Sequence, residues 1–200
     1  MTSVITGDII NSRESTPNDW LKVLKSVLNR YGQAPKHWQI YRGDSFQLET
    51  TPEKALEAAI LIKATIKQFK NLDARLAIGI GDKTYISEKI TESNGDAFVN
   101  SGECFESLKK TTLGIKSPFE AFDKSMNIML DLALLTINNW TTTTAKTIKA
   151  ALEKPELNQV QLADFFDKTQ GNISKGLKRA GFDEISKLLH YYKTQIQTLC

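Results

Sequence analysis

Two carboxylates are placed where the chain could do chemistry. Val4–Arg13 reads V-I-T-G-D-I-I-N-S-R, a short apolar run broken by Asp8 with Gly7 just before it. Trp38–Glu49 reads W-Q-I-Y-R-G-D-S-F-Q-L-E, two alternating runs around Arg42, Gly43 and Asp44. A buried strand that ends in Gly-Asp presents one charge at a sheet edge, and Gly-Asp between alternating runs marks a hairpin turn. If the two strands are neighbours, Asp8 and Asp44 meet at one rim. Carboxylates that close repel, so one takes a proton or both share a cation. With phosphates present, Mg²⁺ or Mn²⁺ is the natural bridge, and two ions would suit phosphoryl transfer. Asp8 and Asp44 are therefore the candidate metal ligands, and Gly7, Arg42 and Gly43 the candidate pocket beside them.

A third segment bears on the same pocket. Ala74–Gly81, A-R-L-A-I-G-I-G, alternates bulky Leu76, Ile78 and Ile80 with Arg75, Ala77, Gly79 and Gly81. The second face is mostly small, which lets another group approach the backbone closely. Arg75 lies on that face and is a further candidate to line the pocket. Asp96 reads as the cap of a helix over Ala97–Leu108, and Cys104 as a buried thiol.

The elements that must position these residues follow from periodicity. Ser3–Ile10 reads as a strand. Thr16-Pro17 reads as N-cap and first helical residue, followed by Trp20, Leu24, Val27 and Leu28 at helical spacing. The hairpin comes next, then Thr51-Pro52 and a helix with Ala55, Ala59, Ile62, Ile66 and Phe69 on one face. The Ala74–Gly81 strand, a helix opened by Gly95-Asp96, and a last strand within Thr111–Lys116 complete the order β-α-β-β-α-β-α-β. Such an order fits an α+β sandwich of the ferredoxin-like kind over residues 1–117. A connecting helix over 118–140 carries Phe119, Phe122, Met126, Met129, Ala133, Ile137 and Trp140 at steps of three and four. That stripe packs on the N-terminal module or, as the alternative, forms a dimer seam. The polar run Thr141–Thr144 marks a boundary, and residues 141–200 read as three or four helices.

Charge separates the two halves. Of 26 Lys/Arg and 23 Asp/Glu, residues 145–200 hold 9 and 6, leaving 17 of each before them, so the net +3 lies in the C-terminal part. A basic module after a neutral one points to nucleic acid. With 40% hydrophobic and 24% charged residues the composition is globular. No apolar run approaches the ~18–20 residues of a membrane helix, and the N-terminus lacks a secretory pattern, so a cytoplasmic location is expected. Two cysteines and two histidines supply neither a zinc spacing nor a disulfide framework.

The segment L-N-Q-V-Q-L-A-D-F-F-D-K-T-Q-G-N-I-S-K-G-L-K-R-A resembles the helix-turn-helix of bacterial transcription regulators. Ala163 is small where two helices would cross, Ile173 wedges between them, and Asp167 stands where the turn usually carries Gly. Lys168, Gln170, Asn172, Ser174, Lys175, Lys178 and Arg179 then lie outward, a set that can read base edges and neutralise phosphates. DNA is the expected partner, bound by a homodimer.

The N-terminal module resembles class III nucleotidyl cyclases and related palm domains over residues 3–117. Asp8 and Asp44 match that family's metal-binding acids. N-G-D-A-F-V-N-S-G-E-C matches a helix whose Asn, here Asn100, contacts the reacting nucleotide. Cys104 and Trp38 replace a transition-state Arg and a base-selecting Lys. The resemblance thus implies a nucleotide or phosphorylated ligand more strongly than turnover, with Asn100 the catalytic residue if the site is active. Over most of its length the chain resembles the SatD family, through I-T-G-D-I-I-N-S-R, Y-R-G-D-S-F-Q-L and the trailing helix-turn-helix. Two functions follow as expectations: a regulator that senses a nucleotide with Mg²⁺, or a metal-dependent nucleotidyl or phosphoryl transferase.

Overall fold

A computed structural model describes residues 1–14 and 17–200. The expected cap at Thr16 lies outside the described residues. The chain is α+β, with a five-stranded mixed sheet and eight α-helices among those residues. β1 (Thr2–Ile10) is the middle strand. It runs antiparallel to β3 (Ser45–Thr50) on one side and to β4 (Asp73–Gly81) on the other. β2 (Trp38–Tyr41) forms one edge beside β3, and β5 (Leu113–Lys116) the other, parallel to β4. The strand order is β2-β3-β1-β4-β5.

Alternation along β1 and β4 gives the sheet two different faces. Ile5, Ile9, Leu76, Ile78 and Ile80 enter the main core under α1 (Pro17–Leu28) and α2 (Pro52–Ile66). The opposite face takes α3 (Asp96–Ser107). The small residues expected there admit this helix: a Cβ on Gly79 would stand 2.2 Å from both the Ala97 carbonyl oxygen and the Ser101 nitrogen. The group that approaches β4 is therefore the protein's own helix. Thr6 Oγ1 and Ser101 Oγ meet at 3.0 Å across the same contact. Asp96 is the first residue of α3 and not its cap; Gly95 occupies that position with no side-chain bond.

α2 starts at Thr51-Pro52 as expected. It is not one-faced, however: Ala55, Leu56 and every residue from Ala58 to Ile66 are buried. Lys54 and Glu57 reach solvent in its first turns, but past them the helix has almost no polar side and is buried all round. The sheet covers one side, and α5 (Thr142–Glu153) and α8 (Phe182–Leu199) cover the other. One hydrophobic cluster consequently runs from Ile5 through α2 to Ile196. Tyr192 Oη donates to the Pro52 carbonyl at 2.7 Å, joining the last helix to the start of α2.

α4 (Glu120–Ile137) begins where Asp123 accepts from the Ser117 nitrogen and hydroxyl. It packs along β5. Of the expected stripe, Phe122, Met126, Ile137 and Trp140 are buried, and Phe119, Met129 and Ala133 are partly so. Leu130 and Leu134, outside that stripe, are buried as well. α6 (Gln159–Phe165) carries a complete capping box between Asn158 and Gln161, and α7 (Gln170–Arg179) is capped by Thr169. No described helix is long and apolar enough to cross a membrane.

Candidate functional site

β1 and β3 are direct neighbours, with Asp8 opposite Ser45. The Ile9 amide donates to the Asp44 carbonyl at 3.1 Å. Asp8 and Asp44 accordingly line one cleft of about 630 Å³, together with Ser12, Arg13, Arg75, Lys109 and Lys110. Of the hairpin turn only Asp44 lines this cleft. Arg42 and Gly43, expected beside it, form the tip in left-handed backbone, φ 53° and 90°, and do not line it. Both tip residues are exposed.

Each carboxylate already has a partner. Arg75 holds Asp8 bidentately, Nε to Oδ1 at 3.2 Å and Nη2 to Oδ2 at 2.6 Å. A fork-on-carboxylate bond of this type is stronger and more directional than a lysine contact. The guanidinium also stacks on Phe105 of α3, 4.6 Å from the ring centre. The Asp8 hydrogen bond holds the Arg75 pKa above its ordinary value. Asp44 Oδ2 accepts from Ser12 Oγ at 2.6 Å.

The arrangement does not fit a preformed metal centre. Both Asp8 oxygens are committed to a cation the chain supplies itself. Among the described residues no group of three or more His, Cys, Asp or Glu side chains is placed to hold a metal ion. Removing Arg75 tests this directly. Arg75→Ala leaves the part-buried Asp8 unpaired and is expected to cost about 1 kcal/mol, solvent screening included. The same variant should bind Mn²⁺ more tightly than the parent in a calorimetric titration.

The other expected site residues are spread out. Gly7 faces the core: a Cβ there would meet Leu76 and Phe46 at 2.6 and 2.7 Å. Its role is to make room for two core side chains. Asn100 Nδ2 donates to the Ile80 carbonyl at 2.8 Å. Ile80 pairs with Ser3, whereas Arg75 pairs with Asp8, so Asn100 lies about 16 Å along β4 from the cleft, at 3.3 Å per residue. Cys104 is buried, and burial pushes its thiol up to about 11. The cleft's cationic wall, Lys109 and Lys110, is not among the expected residues. Its signal is the K-K-T-T run between α3 and β5; Ser12 likewise sits two residues past the end of β1.

A second surface is built on α7. Ile173 and Leu177 are buried against its neighbours, and Ala163 of α6 is buried at the crossing. Asp167 takes left-handed backbone, φ 51°, between the two helices, a conformation Asp tolerates better than most residues. Lys168, Gln170, Asn172, Lys175, Lys178 and Arg179 are exposed and Ser174 is half-buried. Beside α7 runs a cleft of about 800 Å³ between Lys168, Lys175, Lys178 and Arg179 on one wall and Asn139, Thr141, Thr143, Thr144 and Thr147 on the other. The threonine wall comes from the α4–α5 corner, which periodicity alone marks only as a polar break.

No protein-family model, curated protein or solved structure matches the chain.

Proposed function

We propose that the protein is a cytoplasmic DNA-binding regulator in which α7 enters the major groove and the Asp8–Asp44 cleft takes a nucleotide or other phosphorylated ligand. The observation that carries this reading is α7 itself: it buries only Ile173 and Leu177. Lys168 to Arg179 holds four basic residues and no acid. Phosphate attraction supplies affinity, while Gln170, Asn172 and Ser174 have the donors and acceptors that base edges require. The capped α6, the Asp167 turn and buried Ala163 support a helix-turn-helix. The order β2-β3-β1-β4 is that of a ferredoxin-like sheet, which supports the likeness to palm domains and to the SatD family. On this reading Lys109, Lys110 and Arg13 meet the ligand's phosphates, and Arg75 takes the part of a fixed cation beside Asp8.

Selection from a randomised DNA pool is the test. A recurring site, with binding weakened by Lys175→Ala, is the expected result; sequence-blind binding that Lys175→Ala leaves unaltered would end the regulator reading. A melting-temperature screen with nucleotides, with and without Mg²⁺ or Mn²⁺, tests the ligand. The transferase reading retains one observation, the shared cleft of Asp8 and Asp44, and turnover of ATP or GTP with Mn²⁺ would favour it.

Two glycines on α7 give a sharper check. A Cβ at Gly171 or Gly176 meets nothing within 4 Å, so Gly→Ala is sterically free there. Each change should stabilise the fold by about 0.5–1 kcal/mol. If DNA lies against this face, the same methyl groups should weaken binding while stability rises. A variant that melts higher and binds DNA unchanged would place the DNA contact elsewhere.

A further inference from the structure

We propose that two copies of this chain pair through the outward face of α4. The helix spends one stripe on the core and carries a second one outside. Ile128, Leu132 and Leu135 are 56%, 62% and 69% exposed, at positions i, i+4 and i+7, which fall along one line of a helix. From Ile128 to Leu135 the chain reads I-M-L-D-L-A-L-L, with Asp131 its single charge. Single exposed apolar side chains are ordinary on a protein surface; a contiguous row is the mark of an interface. The row continues sideways into a groove that Met129, Leu132 and Ala133 share with Leu188 and Tyr191 of α8. Charged side chains of both signs, Lys178, Arg179, Asp183, Glu184 and Lys187, also line that groove.

The face is its own complement. A two-fold axis sets a surface against itself. With two α4 helices antiparallel and the axis at Leu132, the spacing −4, 0, +3 brings Ile128 against Leu135 of the partner subunit. Leu132 then meets its own copy. Lys124 and Ser125 approach Asn138 and Asn139 of the partner subunit, so the ends of the seam are polar and free of like charges. An 18-residue helix is about 27 Å long. Two of them, with the α8 flank, bury on the order of 1,200 Å², where stable interfaces begin. Asp131 flanks the axis in both copies, and at ~9 Å in water that repulsion is worth only about a factor of two in affinity.

The inference stands on the face formed by α4 and its α8 flank, and holds whether or not the chain binds DNA. It predicts concentration-dependent dimers of the full chain by sedimentation equilibrium or light scattering. Leu132→Glu should weaken association more than tenfold, and Asp131→Asn should tighten it about twofold. Both positions point outward, so a thermal melt by circular dichroism should show the Leu132→Glu fold intact. Geometry has its own readout. In a Cys200→Ser background, Leu132→Cys should give an intermolecular disulfide on mild oxidation, and Ala121→Cys should not. A monomer at every concentration, a dimer indifferent to Leu132→Glu, or cross-linking at position 121 in place of 132 would each overturn the proposal.

Discussion

Asp73→Ala is expected to cost about 3–5 kcal/mol of stability, because it strands a charge in the core. Lys63 lies in the middle of α2 with no solvent exposure. Its three donors are all used: Asp73 Oδ1 at 2.9 Å, the Ala74 carbonyl at 2.8 Å and Thr112 Oγ1 at 3.0 Å. Lys67 takes the second Asp73 oxygen at 3.1 Å. Asp73 is the only carboxylate in this set, and an ammonium without one in a dry core has lost water for nothing. Burial already pulls the Lys63 pKa below the usual lysine value, and Asp73 opposes that pull. Between the lowered folded pKa and the ordinary value, the unfolded chain binds more protons than the folded one, so this group makes stability rise with pH there. Without Asp73 the folded pKa falls further and the window widens. The deficit of Asp73→Ala, measured by urea denaturation, should therefore shrink from neutral pH towards pH ~10. Adding Lys63→Met, which removes the stranded charge at similar volume, should restore much of the loss. A deficit under about 1 kcal/mol at neutral pH, against the 3–5 expected of a broken buried pair, would mean that Lys63 is hydrated.

This network ties the core to the cleft, since Thr112 lines the pocket that holds Asp8 and Asp44. It also marks the limit of periodicity as a guide. A lysine in an apolar helical run looks like the exposed edge of a stripe. The signal against that view is the rest of α2: Ala58–Ile62 and Ala64–Ile66 leave almost no polar face on which Lys63 could surface. Alternation located β1, the hairpin and β4, and a central β1 made the common rim of Asp8 and Asp44 readable from the sequence. Their partners were less accessible. Arg75 was visible as the odd member of a small face, but its bond to Asp8 depends on the β1–β4 register, which alternation does not specify. Asn100 sits on the expected helix, yet its position along β4 depends on where α3 seats. For α4 the steps of three and four marked the stripe that turns inward, Phe122, Met126, Ile137 and Trp140 among it. They missed buried Leu130 and Leu134 and gave no notice of the exposed row Ile128, Leu132 and Leu135.

Gly79→Ala is the second change expected to be severe, at about 3 kcal/mol, the upper end of overpacking costs. The obstruction is all α3 backbone: Ala97 O and Ser101 N at 2.2 Å, and Ser101 Cα at 2.7 Å from the added carbon. A flexible side chain could swing away, but α3 must move as a body. Its displacement would stretch the Thr6–Ser101 contact and the Asn100 bond to Ile80. At the far end of the same helix, Phe105 supports the Arg75 guanidinium, so a shifted α3 should also loosen the clamp on Asp8. Two readouts then move together: a lower urea midpoint, and Mn²⁺ affinity raised in the direction of Arg75→Ala. Gly102→Ala, on the same helix with nothing within 4 Å of the added carbon, should instead stabilise by up to about 1 kcal/mol. If Gly79→Ala proved as mild as Gly102→Ala, α3 would not be seated on β4 through this glycine. The placement of Phe105 behind Arg75 would lose its support with it.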